Sequence, residues 1–186
     1  MRPANYKNQY IKLQCNQDHT RELYETISEI AKESNYVDAL EIGTAWGIST
    51  IAILHNGKGD LTSVDKSEYQ NTENQVIDYG YMGQWRFMQK PSEEALPELL
   101  KAGYKYDLIC IDGDHRYEYV KNDLKYAVKM LKKDGVIIVD DYNHKKNKQI
   151  GGDKYGVKKA VDEIVKRLGL SIEVYDKAHG IVKLWR

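Results

Sequence analysis

A chain of 186 residues with 41% hydrophobic side chains can fill one substantial core but is too short for two ordinary domains, so residues 1–186 are read as one domain. The 28 basic and 28 acidic residues cancel, which excludes a whole-molecule field drawing the protein to nucleic acid or an anionic membrane. No apolar run reaches the length of a membrane span, "MRPANYKNQYIKLQ" lacks the apolar core of a leader, and the two cysteines, Cys15 and Cys110, suit a reducing cytoplasm.

Leu23, Ile27, Ile30 and Ala31 recur at helical spacing between Thr20 and Ser34, with Asp18 or Thr20 as a cap, and predict a helix within an N-terminal extension, 1–36. "YVDALEIG" reads as a buried strand, "GISTIAILHNG" as a helix closed near Gly57, and "DLTSVD" as a second strand. A third strand, "WRFMQK", precedes a helix from Ser92 to Leu100 whose first turn carries Glu93 and Glu94; Ser92 reads as its cap. "YDLICID" is a fourth strand. The helix after it presents Val120, Leu124, Val128 and Leu131 on one face, ends near Gly135 and feeds a fifth strand, "GVIIVDD". The polar stretch 142–156 reads as an irregular loop. Val157, Ala160, Val161, Ile164 and Leu168 then mark a helix stopped by a left-handed Gly169. "SIEVYD" and "GIVKLWR", joined by "KAHG", are close enough only for an antiparallel hairpin. The fold class is therefore α/β: a doubly wound, mostly parallel, Rossmann-like sheet with helices on both faces and a C-terminal antiparallel hairpin.

In such a sheet, ligands sit beyond the carboxyl ends of the strands where the winding reverses, and "EIGTAWG" falls there. Gly43 allows a sharp turn off the strand, and Gly47 lets the next helix bring its free amides close to a ligand. Asp65 ends the second strand about 20 residues on, the offset at which an acid meets ribose hydroxyls in dinucleotide folds. The loop has no lysine after Gly47, as a phosphate cradle requires, and no glycine at position 45, as a dinucleotide fingerprint requires. An adenosine-containing ligand without a pyrophosphate remains.

A strand-ending acid, G-x-x-x-G and a second strand-ending acid resemble the first motifs of class I S-adenosylmethionine-dependent methyltransferases. "LTSVDKS", "MQKPSEEALPEL", "YDLICIDGDHRYEYVKNDLKYAVKMLKKDGVIIVDDYN" and "GVKKAVDEI" extend the resemblance to the macrocin-type and cephalosporin-hydroxylase-like O-methyltransferase group over about residues 37–165. The resemblance implies cofactor contacts from Glu41, Gly43, Thr44, Gly47, Ser49, Asp65, Ser92 and Asp112. Lys90 and Pro91 stand where relatives often carry glycine and an acid.

Carboxylates at the ends of two apolar strands are costly to bury without a cation or ligand, and neighbouring strands would let Asp112 face Asp140 and Asp141. The resemblance implies magnesium or another divalent cation there, as in catechol and caffeoyl-CoA type enzymes. His115 stands where those relatives carry a proton-accepting lysine, so Asp112 and His115 are the expected catalytic pair. His144 is a weaker acceptor-side candidate, and Lys145, Lys146 and Lys148 read as a solvated loop. The expected function is a divalent-metal-assisted O-methyltransferase acting on a small hydroxylated acceptor such as a sugar or polyol, with no nucleic-acid or membrane partner and homo-oligomers possible. Two alternatives stay open: a glycosyltransferase using the D-x-D of Asp112–Asp114, and a non-catalytic domain that binds an S-adenosyl compound.

Overall fold

The computed structural model describes residues 18–68, 70–148 and 155–186. Cys15, the first half of the expected N-terminal extension and the 149–154 part of the polar loop lie outside them. In chain order the elements are α1 (Asp18–Ser34), β1 (Asp38–Ile42), α2 (Ile48–Asn56), β2 (Asp60–Asp65), α3 (Gln70–Asp78), β3 (Trp85–Gln89), α4 (Ser92–Lys101), β4 (Tyr106–Ile111), α5 (Tyr117–Met130), β5 (Leu131–Val139), a 3-10 turn (Lys145–Lys148), α6 (Val157–Leu168), β6 (Ser171–Tyr175) and β7 (Ile181–Trp185). The sheet order is β3-β2-β1-β4-β5-β7-β6, with every pairing parallel except those of β7, which lies antiparallel between β5 and β6.

The strands are apolar on both sides because helices cover both. Along β4, Ile109 and Ile111 face a layer holding Leu96, Leu124 and Val161 of α4, α5 and α6, while Leu108 and Cys110 face Ile27, Ile51 and Val76 of α1, α2 and α3. This is the period of two expected of a strand between two helical layers. Helix α1 is thus part of one layer.

One element has no sequence signal and one boundary changes. Helix α3 carries no apolar stripe: "QNTENQVID" buries only Thr72, Gln75 and Val76, so its periodicity gives no signal. The α5 pattern stops at Met130, and Leu131 adopts extended backbone (φ −68, ψ 129) that opens β5 instead of lying on the helix face. A register shift between Tyr106 and Leu108 accommodates the early start of β5.

Glu41 sits next to the carboxyl end of β1 on the α2 face and is fully buried. Its carboxylate accepts bonds from Ser49 Oγ at 2.6 Å, Thr50 Oγ1 at 2.8 Å and Ser63 Oγ at 2.6 Å, tying α2 and β2 to β1. Burial raises its pKa from 4.5 to about 7, despite the three hydroxyl donors. The folded state therefore holds the extra proton between those values: the stabilisation is complete below 4.5 and is lost as the pH rises through 7. Urea titrations of Glu41→Gln, which cannot titrate, should show a smaller stability loss from pH 4.5 to 8 than the native chain, by up to ~3 kcal/mol.

Candidate active site

The winding reverses between β1 and β4, and the two strand exits touch. Asp112 N–H donates to Ile42 O at 2.8 Å, and Gly43 N–H donates to Val64 O at 2.9 Å. Gly43 has φ +90, and a Cβ there would lie 2.1 Å from the Asp112 carbonyl oxygen. Only glycine meets both conditions. Gly47 (φ +77) caps α2 with a left-handed turn against Thr72. Asp65 holds the loop from the next strand: its Oδ2 accepts Thr44 N–H at 2.8 Å and Ala45 N–H at 3.3 Å, and its Oδ1 accepts Ser67 N–H at 3.0 Å.

Beyond these strand ends opens a cavity of about 400 Å³. Gly43, Ala45 and Asp65 line one side, Pro91 to Glu93 another, and Asp112 to Arg116 the third. Of the residues expected to contact a cofactor, Gly43, Asp65, Ser92 and Asp112 share this lining. Glu41, Thr44, Gly47 and Ser49 do not. Glu41 and Ser49 are a buried pair bonded to each other, on the opposite face of β1 from Leu40 and Ile42. Ser92 is also not a helix cap: Pro91 occupies that position, no side-chain cap bond is made, and Ser92 faces Asp123 of α5. Asp123, missed in the sequence as one polar residue on an amphipathic helix, is buried beside Gly113 and pushed up to about 7, chiefly by burial.

At the far end, Asp112, Asp140 and Asp141 approach from β4 and β5. Burial, and then the neighbouring carboxylates, raise the pKa of Asp140 well above the usual range, and burial raises Asp112. His115 Nε2 lies 3.4 Å from Asp112 Oδ1 and 3.1 Å from Asp141 Oδ2. Burial pulls the His115 pKa down, but the carboxylates of Asp112, Asp141 and Asp114 outweigh it and hold it above 6.5. The expected three-carboxylate set does not close on one point. Among the described residues, the acid and histidine group whose donor atoms all lie within 4.8 Å of one another is Asp141, His144 and His179. Tyr155 donates its phenol to Asp141 Oδ2 and stacks on His115 at 4.9 Å. His179 and Tyr155 carried no local sequence signal. Asp114 is held by Arg116 through both Nε and Nη2, which removes the second acid of a D-x-D pair from the cavity's free acids.

Residues 40–142 match a family described as a methyltransferase domain, which is more than half of the chain. The chain belongs to this family. The methyltransferase domain fold extends through similar solved structures: an O-methyltransferase from Bacillus cereus in complex with SAH (16% identity, TM-score 0.76, 96% of each chain covered), and SAH-bound PaMTH1 of Podospora anserina (16%, 0.74, 97% of this chain and 86% of that). TomG of Streptomyces achromogenes, an O-methyltransferase of tomaymycin synthesis in complex with SAM, is similar at 15% identity and a TM-score of 0.72, covering 96% of this chain and 94% of that one. An uncharacterised protein of Acanthamoeba polyphaga mimivirus is 29% identical over 118 residues, 59% of this chain and 53% of that protein, so the chain spans about half the length of that curated relative. No helix among the described residues is long and apolar enough to cross a membrane.

If the Gly43 crossing holds the methyltransferase domain together, Gly43→Ala should lose at least about 2 kcal/mol in urea unfolding. Gly83→Ala, where a Cβ meets nothing within 4 Å, should stay near native.

Proposed function

We propose that the protein transfers the methyl group of S-adenosylmethionine to a hydroxyl of a small acceptor, assisted by a divalent cation at the acidic end of the cleft. The observation that carries this reading is one continuous cavity running from Gly43 and Asp65 to Asp112 and His115, which joins a nucleoside-binding end to an acid–base end. The SAM or SAH bound in the similar structures supports the choice of cofactor. Asp65 has three backbone donors on a carboxylate that accepts about four bonds, and so keeps capacity for a ribose hydroxyl.

The cofactor supplies a methyl group already activated by its sulfonium. The chain's residues have to hold the acceptor in line and take its proton. His115 suits the second task, with Asp112 and Asp141 beside it to stabilise the protonated ring. A cation fits the acidic end: Asp140 Oδ1 is buried without a partner, and the mutual repulsion of Asp112 and Asp140 calls for positive charge. Bound there, such an ion would lower the pKa of an acceptor hydroxyl. Adjacent hydroxyls of a sugar, polyol or catechol suit that end.

Calorimetry should show S-adenosylmethionine or SAH binding that Asp65→Ala weakens at least about tenfold. Transfer of a labelled methyl group to a panel of diols should fall about 100-fold or more in His115→Ala, with SAH affinity unchanged. Binding without transfer to any acceptor would favour a non-catalytic domain, and binding of a sugar nucleotide in place of both S-adenosyl compounds would overturn the reading.

A further inference from the structure

We propose that Asp141, His144 and His179 form a binding site for a divalent first-row transition ion of the zinc, cobalt or nickel type. This places an ion on the Asp141 side of the acidic end, on donors other than Asp112 and Asp140, and it rests on the cation-assisted reading only for the ion's use.

The three donors come from separate places in the chain and are brought together by backbone contacts. Asp141 leaves β5 with φ +62, a left-handed conformation uncommon outside glycine. The chain then folds back: His144 N–H reaches Asp141 O at 3.2 Å, and the Asn147 side-chain amide donates to Asp141 O at 2.9 Å and Tyr142 O at 3.0 Å. The same segment clasps the β6–β7 turn through Tyr142 N–H to Gly180 O at 2.7 Å and Asn143 N–H to His179 O at 2.8 Å. Gly180 permits that approach, since a Cβ there would lie 2.6 Å from Asn143 Cβ. The result is a convergence of two imidazoles on one carboxylate.

Each donor is also oriented. Tyr155 holds Asp141 Oδ2, leaving Oδ1 facing His179 Nδ1 at 3.1 Å. The His144 ring is buried and meets His179 edge-on at 4.3 Å. On the outer side His19 stacks on His179 at 4.0 Å. In the hydrogen-bonded network Tyr155, His179 and His115 surround Asp141, while the buried His144 ring makes no bond to that carboxylate and is fixed through Nδ1, which accepts Lys146 N–H at 3.1 Å. An ion uses Asp141, His144 and His179 together. Ligands about 2.0–2.2 Å from a zinc-type ion stand about 3–4 Å from one another, so donors within 4.8 Å close on it with shifts of about 1 Å. Imidazole nitrogen selects such ions over magnesium, which prefers oxygen and keeps its waters.

The test is cobalt(II) titration of the full chain after dialysis against chelator, followed by visible absorption. One equivalent should produce the d–d bands of a nitrogen-containing site, zinc should displace it, and a large excess of magnesium should not. His144→Ala and His179→Ala should each weaken cobalt binding at least about tenfold, the lower range for disturbing even an outer partner of a metal ligand. The remote His55→Ala should leave it unchanged, and unaltered SAH calorimetry should show that the two site variants are folded. Absent bands, native cobalt affinity in either site variant, or displacement by equimolar magnesium would each overturn the proposal. Cobalt binding that persists while no acceptor is methylated would sink the transfer reading and leave this site standing.

Discussion

The exits of β1 and β4 pass so closely at Gly43 and Asp112 that no side chain fits between them. Both partners are backbone, fixed by hydrogen bonds to Val64 and Ile42, so neither can give way. This contact sets the floor of the cleft. To one side of it the chain turns through Gly47 into α2, with Asp65 gripping the loop amides; to the other, Asp112 to His115 leave β4. A larger residue at position 43 would spread the two neighbouring strands where the sheet's winding reverses, and Gly43, Ala45 and Asp112 to Arg116 of the cavity lining leave those two exits.

Carboxylates supply most of the remaining organisation, and their surroundings separate their roles. Glu41, ringed by three hydroxyls inside a helical layer, pins α2 and β2 to the first strand. Asp107 accepts backbone N–H groups from Val37 and Asp38 and pairs with Lys132; those donors outweigh its desolvation and hold its pKa below the usual range. Asp65 is spent largely on loop amides. Asp112 has His115 beside it, but Asp140 is buried against Asp112 and Asp141 with one oxygen unpartnered, and that gives the far end of the cleft its demand for a proton, a cation or a polar ligand. One residue type thus serves as strut, loop clamp and reactive group according to burial and partners.

Much of the architecture could be read from pattern, because the relevant forces are local. Alternating strands and helices, the apolar runs of "YDLICID" and "GVIIVDD", the glycine stop at Gly169 and the short hairpin connection each depend on neighbours a few residues apart. Helix α3 was invisible for the same reason: it has almost no apolar face to repeat. The placing of Gly43, Asp65, Asp112 and His115 around one opening also followed from their positions at strand ends, since a parallel sheet sends all such ends to one side.

Sequence by itself therefore determined the fold class, the location of the cleft and most of its strand-end residues. Tertiary structure alone decided which way side chains point and which distant segments meet. Glu41 reads as a strand-end acid, and the pleat of β1 is what aims it at the hydroxyls of α2 and β2. His179 lies in a turn with no motif, and it reaches Asp141 only because β7 inserts antiparallel between β5 and β6, which puts the start of β7 beside the end of β5. Strand order is set by competition among whole layers for burial, a property no short window of sequence contains, and the grouping of His19, His115, His144 and His179 around one acid is its consequence.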